Sequence, residues 1–296
     1  MKRSIILAVM TAALAVPGCA QDGPAATSPA KEQAANAVPT GVQEKDDSMT
    51  ALKPPSPDSV LYFVYQRDGD GAHSFQVEGG AVVSYWYGHA FDLKGEHYFT
   101  GFTTRSAGTE GPEADSTMME AGHVAIGQAT LVKRDQNGEA RWSQIATDGF
   151  VGEFGQSDQP EPIDNSREAV SHELSDGRLL LGVPTRVFDD GVAFNGYAMF
   201  VFNRSGQPQT PFRVWTYAGT IQAGSDNSAA CEGGVLTCAV STGQPSFEPA
   251  AEGAMPRIRV ALSGETVSGP GQTRALGRED AIVFDFDANT ERYQAP

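Results

Sequence analysis

Ala129-Thr130-Leu131-Val132-Lys133-Arg134-Asp135-Gln136-Asn137-Gly138-Glu139-Ala140-Arg141-Trp142 reads as an apolar strand, a polar corner and a return strand ending in an aromatic residue. An Asn-Gly corner between β-rich runs signals a hairpin, because glycine takes the φ > 0 position of a tight turn. Three further stretches share this grammar: Leu61–Arg67 before Asp68-Gly69-Asp70-Gly71, Tyr197–Phe202 before Asn203-Arg204-Ser205-Gly206, and Ala281–Phe286 before Asp287-Ala288-Asn289-Thr290. The corners begin at 68, 135, 203 and 287, giving spacings of 67, 68 and 84 residues. A near-constant period marks a repeated supersecondary unit.

Hairpins of a second type lie between the corners. Tyr85–Leu93 turns at Lys94-Gly95 into Glu96–Thr104, Ala169–Leu174 turns at Asp176-Gly177 into Arg178–Val187, and Arg257–Leu262 turns at Ser263-Gly264 into Glu265–Gly269. Each return strand holds a further glycine, Gly101, Gly182 or Gly269, of the kind that marks a bulge or a close backbone approach. Together the two types predict about fourteen strands and almost no helix: an all-β domain of repeated antiparallel four-stranded units.

The D-x-N-G-x-x-x-W pattern of Asp135–Trp142 is similar to the outer-hairpin motifs of bacterial β-propeller repeats, and that resemblance implies a propeller-like arrangement. The pattern departs by one residue in its Asp-to-Gly spacing from both the pyrroloquinoline-quinone-type repeat and the sialidase Asp box. Neither cofactor nor catalysis is therefore carried over. A β-sandwich or irregular barrel built from the same hairpins is the alternative architecture.

In an up-and-down meander the tight turns fall at one end of the strands and the remaining connections at the other. Arg105–Gly122, with Glu110, Glu113, Asp115 and Glu120, and Gly149–Asn165, with Glu153, Asp158, Glu161 and Asp164, read as long acidic connections of the second set. Thr220–Pro256 reads as a third. Long loops on a rigid scaffold usually carry binding function, so this end is the candidate binding surface.

The N-terminus predicts an address. Lys2-Arg3 followed by the apolar run Ile5–Val16 reads as a signal peptide, too short to span a bilayer. Val16-Pro17-Gly18-Cys19 resembles the bacterial lipobox, which implies cleavage after residue 18, lipidation of Cys19 and, from Ala20, sorting to the outer membrane. Residues 19–59 lack aromatics and are rich in Ala, Pro, Ser and Gln, the composition of a flexible tether. Residues 60–296 then form a single all-β domain. The expected location is the cell envelope, with the domain in the periplasm or at the surface.

The chain has a formal charge of −16, which becomes −18 when Lys2 and Arg3 leave with the signal peptide, since residues 1–18 contain no acid. Such a charge repels phosphate backbones, so nucleic acid is not an expected partner. The expected partners are the membrane, through the N-terminal lipid, and envelope proteins or glycans.

After lipidation of Cys19 two cysteines remain, Cys231 and Cys238, and an even pair in an exported chain predicts a disulfide. The five histidines form no metalloprotease motif, His172-Glu173 lacking a second histidine. His97 falls opposite Asp92 across the Lys94-Gly95 turn and reads as a cross-strand surface pair. Asp68-Gly69-Asp70-Gly71 lacks the register of a calcium loop, so corner Asp and Asn residues read as turn formers. No cofactor or metal motif is present, and no catalytic signature. Tyr85-Trp86-Tyr87 places Trp86 on the face opposite the tyrosines, either in the core or exposed as a stacking platform. The sequence reading is a lipid-anchored binding or scaffold module acting through its long acidic loops; the alternative is an envelope glycan or peptide hydrolase using loop carboxylates.

Overall fold

Ser56-Pro57-Asp58 opens the first element, and it is a helix. Proline suits the first helical position, whose N–H has no intrahelical partner, and Asp58 complements the positive end of the dipole. Helix α1 (Pro57–Tyr65) stops at Gln66, which adopts the left-handed conformation at φ 54°. Val60 and Leu61 are fully buried. The strand expected over Leu61–Arg67 is thus corrected: its β-favouring side chains follow a Ser-Pro-Asp start signal that prevails. The corner at Asp68 follows a helix, so it is not equivalent to the other three.

The structure is a computed structural model that describes residues 52–108, 119–206, 213–231, 234 and 236–295. Cys19 and the signal peptide lie outside the described residues. The Trp142 indole donates to the Lys53 carbonyl at 2.8 Å, so the domain reaches back past the expected boundary at Val60.

The first sheet is a meander of β1 (Ser74–Gln76), β2 (Val82–Leu93), β3 (Glu96–Arg105), β4 (Val124–Gln136) and β5 (Glu139–Phe154). The second is a meander of β6 (Val170–Glu173), β7 (Leu179–Asp189), β8 (Val192–Phe202) and β9 (Trp215–Asp226). After the single turn α2 (Ser228–Cys231) come β10 (Ser241–Phe247), β11 (Ile258–Gly269), β12 (Gln272–Ala275), β13 (Ile282–Asp287) and β14 (Arg292–Gln294). They form a third antiparallel sheet ordered β10-β11-β13-β14, with β12 paired to β11. The fold is all-β and antiparallel apart from these helical turns.

Corners 135, 203 and 287 hold equivalent places: each leads from β4, β8 or β13 to the last strand of its sheet, β5, β9 or β14. Each is closed by its own side chain. Asp135 Oδ1 accepts from the Gly138 N–H at 2.8 Å, Asn203 Oδ1 from Ser205 at 3.1 Å, and Asp287 Oδ1 from Asn289 at 2.8 Å. Asp68 makes the same local bond with the Asp70 N–H, at 2.9 Å. The shared chemistry is therefore local, which is why it also occurs after a helix.

The third sheet corrects two further expectations. Ser263-Gly264 is not a turn, because β11 runs through it. At Gly264, φ 101°, the strand leaves its register with Ser241 of β10 and continues against β12. The chain reverses instead at Pro270-Gly271, beside a bulge between Val267 and Gly269. Thr220–Pro256 is likewise no simple loop, since it contains half of β9, α2 and β10. The β10–β11 connection, residues 248–257, is long, so the first set of turns is not tight throughout.

The layers stack in chain order. Val60 of α1 packs on Phe99, Ala129 and Leu131 of the first sheet, and a β-carbon at Gly101 would lie 2.5 Å from Val60 Cγ2. That close approach accounts for the glycine. The opposite face of the first sheet, including Phe91, Tyr98, Phe102 and Ile126, packs on Leu181, Phe200, Phe202 and Trp215 of the second. The far face of the second sheet, with Tyr197, Met199 and Ile221, packs on Ile258, Val260 and Phe284 of the third. Buried Trp215 also donates its indole N–H to Thr100 Oγ1 and Thr130 Oγ1, at 3.1 and 3.0 Å. Polar partners thus join the first two sheets inside their apolar interface.

A bulge at Trp86 overturns the expected facing of Tyr85 and Tyr87. Tyr85 pairs with Thr103 and Tyr87 with Phe102, leaving Trp86 as the extra residue. Tyr85 therefore packs on the helix side, while Trp86 and Tyr87 pack toward the second sheet. The expected disulfide joins Cys231 to Cys238, with Cα atoms 5.3 Å apart.

Candidate functional site

The loop end of the first two sheets carries the site. The β5–β6 connection first makes a tight turn at Gly155, where φ is +87° and a β-carbon would sit 2.0 Å from the Gln159 carbonyl. It then runs along β7 as a strap: Arg186 N–H donates to the Pro162 carbonyl at 2.9 Å, and Asp164 N–H to the Pro184 carbonyl at 3.0 Å.

The strap is anchored by a buried ion pair. Arg167 Nε donates to Asp164 Oδ2 at 2.7 Å, and its Nη2 donates to the carbonyls of Thr185 and Gly196 at 2.7 and 2.9 Å. The guanidinium also lies 4.7 Å from the centre of the Tyr197 ring. Burial pulls the Asp164 carboxyl upward, but bonds from Ser166 and Arg167 outweigh it and hold the group below its ordinary value. Asp164 is therefore an anchor rather than an open ligand.

Glu161 is placed by the same strap at the junction of two clefts. One, of about 380 Å³, is lined by Gly155, Gln159, Pro160, Arg186 and Phe188 as well as Glu161. The other, of about 230 Å³, is lined by Glu161, Thr185, Phe194, Asn195, Thr220 and Gln222. Thr220 Oγ1 donates to both Glu161 carboxylate oxygens, at 2.9 and 3.1 Å. Its proton thus committed, Thr220 accepts from the Tyr217 hydroxyl 2.9 Å away.

Burial raises the Glu161 carboxyl above its ordinary value, only partly opposed by bonds from Thr185 and Thr220 and by the nearby His123. Burial, and then the Glu161 charge, push the Tyr217 phenol upward as well. For Glu161 the linkage is that of a raised carboxyl. The cost of its buried charge is absent below the unfolded value and grows as pH rises through the folded one.

The clefts also hold an unused polar group and exposed apolar ones. Asn195 is 6% exposed, and its Oδ1 has no hydrogen-bond partner among the described residues. Phe188 and Phe194, on the β7–β8 hairpin, are 61% and 39% exposed. Arg186 is paired with Asp226 at 3.1 Å.

The structure distributes the residues expected on the binding surface unevenly. Glu161 is central. Glu120 and Glu153 converge on His123, on the adjoining connection. Asp158 is an exposed turn residue whose N–H donates to the Gly122 carbonyl at 2.8 Å. Trp86 supports the strap from beneath: its indole donates to the Glu161 carbonyl at 2.8 Å, and its ring meets Phe154 edge-on at 4.9 Å. It is not an open platform. Glu110, Glu113 and Asp115 lie outside the described residues. His97 Nδ1 and Asp92 Oδ1 are 2.8 Å apart and exposed at the opposite end of the strands, the expected surface pair.

Sequence reasoning passed over Arg167, Phe188, Phe194, Asn195 and Thr220. Exposed phenylalanines flanking the Asp190-Gly191 turn were the one local signal, since a hairpin tip ordinarily carries polar residues. Comparison with known proteins adds no relative from which a role could be transferred: no protein-family model, no curated protein and no solved structure matches this chain.

Proposed function

We propose that this protein is a lipid-anchored binding module of the cell envelope that recognises a basic, partly apolar segment of an envelope protein. The clefts that meet at Glu161 carry the reading. Glu161 and Asn195 offer acceptors, Phe188 and Phe194 offer exposed apolar surface, and Arg186 is already neutralised by Asp226. A chain of formal charge −18 after processing draws cationic partners and repels anionic ones. Glycans rich in carboxylates are disfavoured on the same ground. The lipobox supports anchoring through Cys19, and a tether of about 40 residues reaches roughly 30–40 Å from the membrane if flexible. Three meanders stacked in chain order, with corners 135, 203 and 287 in equivalent places, support reading the architecture as propeller-like.

Binding is tested on an array of peptides in which Lys/Arg and apolar positions are varied. Bound peptides are expected to be enriched in both, and Glu161→Gln with Phe188→Ser is expected to weaken them at least tenfold. Raising the salt from about 0.1 to 1 M, which shortens the screening length from about 10 to 3 Å, should weaken binding too. Equal binding of acidic peptides, or indifference to the double substitution, contradicts the proposal. Anchoring is tested by cell fractionation: Cys19→Ser should abolish membrane association, and unchanged association would overturn that part.

The envelope hydrolase remains a second reading because one observation favours it. Burial shifts Glu161 in the direction that suits a general acid at neutral pH. Its signature would be glycan or peptide cleavage that Glu161→Gln abolishes.

A further inference from the structure

We propose that Glu120, His123 and Glu153 form a binding site for one divalent transition-metal cation, with zinc the ion best matched to the donors. Glu120 and His123 belong to one turn, closed by the His123 N–H on the Glu120 carbonyl at 3.0 Å. Glu153 lies near the end of β5, paired across the sheet with Ala125, so strand register delivers it beside the turn. One ligand atom from each residue falls within 4.8 Å of the other two. His123 Nδ1 stands 3.7 Å from Glu120 Oε2 and 3.9 Å from Glu153 Oε1.

These separations exceed hydrogen-bonding distance, so imidazole and carboxylates face one another across a gap. Zinc holds imidazole nitrogen and carboxylate oxygen at about 2.0–2.2 Å, which places tetrahedral ligand atoms about 3.3–3.5 Å apart. Closing the two histidine separations takes shifts of about a few tenths of an ångström. The two carboxylates, within 4.8 Å of each other, have further to close, and the exposed Glu120 side chain can supply that movement.

A second observation comes from the histidine itself. His123 Nδ1 is shielded from solvent and has no hydrogen-bond partner among the described residues. Glu153, by contrast, is already oriented: the Glu120 N–H holds its Oε2 at 3.0 Å and leaves Oε1 toward the imidazole. Such outer support of a ligating carboxylate is a regular feature of metal sites. An imidazole with two carboxylates favours zinc and its transition-metal neighbours over magnesium or calcium, which take all-oxygen sites. Three protein ligands leave one tetrahedral position for water or a ligand.

The full-length chain, purified in detergent and stripped with a chelator, is titrated with zinc against a chromophoric competitor. The expected result is one saturable site of micromolar affinity or better that millimolar magnesium does not displace. His123→Ala and Glu153→Gln should each weaken it at least tenfold. Exposed Glu120→Gln should weaken it while leaving the zinc-free melting temperature unchanged, which separates ligand loss from unfolding. Zinc should raise the melting temperature of the wild-type chain more than that of any of the three variants. Absence of a saturable zinc site, displacement by magnesium, or affinity unchanged in His123→Ala and Glu120→Gln would overturn the proposal.

Discussion

Trp215→Ala is expected to lower the free energy of unfolding by about 3–5 kcal/mol, the usual range for removing a buried aromatic ring. In a domain of this size that corresponds to a fall in Tm of roughly 6–20 °C. The ring is fully buried and contacts both sheets of the main core: Phe91 and Phe102 lie on one side, Phe202 on the other, with centroids 5.8, 5.2 and 5.0 Å away. Its loss leaves a cavity between layers that strands of fixed register cannot close. Trp215→Phe keeps most of the packing and removes only the N–H shared by Thr100 and Thr130. Those hydroxyls still bond each other at 3.0 Å, and Thr130 donates to Gln128 at 2.6 Å. The cost should therefore fall to about 1–3 kcal/mol. Urea denaturation of the three chains measures both steps; a loss below about 1 kcal/mol for alanine would show that the first two sheets do not share this core.

Arg167→Met is expected to cost about 3–5 kcal/mol, because it leaves the Asp164 carboxylate buried without its partner. Asp164 is 8% exposed, and the Thr185 and Gly196 carbonyls lose their donor as well. The pH dependence identifies the cause. Asp164 has a depressed carboxyl, so its contribution is complete above the unfolded value near 3.8 and is lost as pH falls through the lower folded value. The gap between wild type and variant should be widest near neutral pH and narrow in acid. A double variant, Asp164→Leu with Arg167→Met, should recover part of the loss, since no charge is then left unpaired. A gap independent of pH would assign the cost to lost packing. The same substitution should loosen the strap and weaken peptide binding, tying stability to the site that the strap positions.

Much of the architecture was legible because its causes are local. Asp135-Gln136-Asn137-Gly138 specifies its own turn, and the cysteine pair closes a short ring. Runs rich in aromatic and β-branched residues, such as Glu96–Thr104, specify strands. What escaped depended on longer-range or competing signals. Leu61–Arg67 has strand-like composition but lies downstream of a helix start, and its burial against Gly101 decides the matter. The bulge at Trp86 shows no mark in the sequence, yet it puts Tyr85 and Tyr87 on opposite faces and Trp86 on the same side as Tyr87. Gly264 offers the same signal for a turn and for a strand that changes partners. The acidic loops were readable as a surface, but their roles diverge through contacts made across the fold. Asp164 is spent on Arg167, while Glu161 is held open between two clefts by Thr220 of another strand. Neither pairing has a spacing that a sequence reveals.

The central claim is that ligand meets the loop end of the strands. Amide hydrogen exchange, with and without the tightest-binding array peptide, tests it directly. Exchange is expected to slow over residues 155–163 and 186–196, with little change at the Lys94-Gly95, Asn137-Gly138 and Asp176-Gly177 turns. Slowing at those turns, with the strap and the β7–β8 hairpin unaffected, would contradict the account.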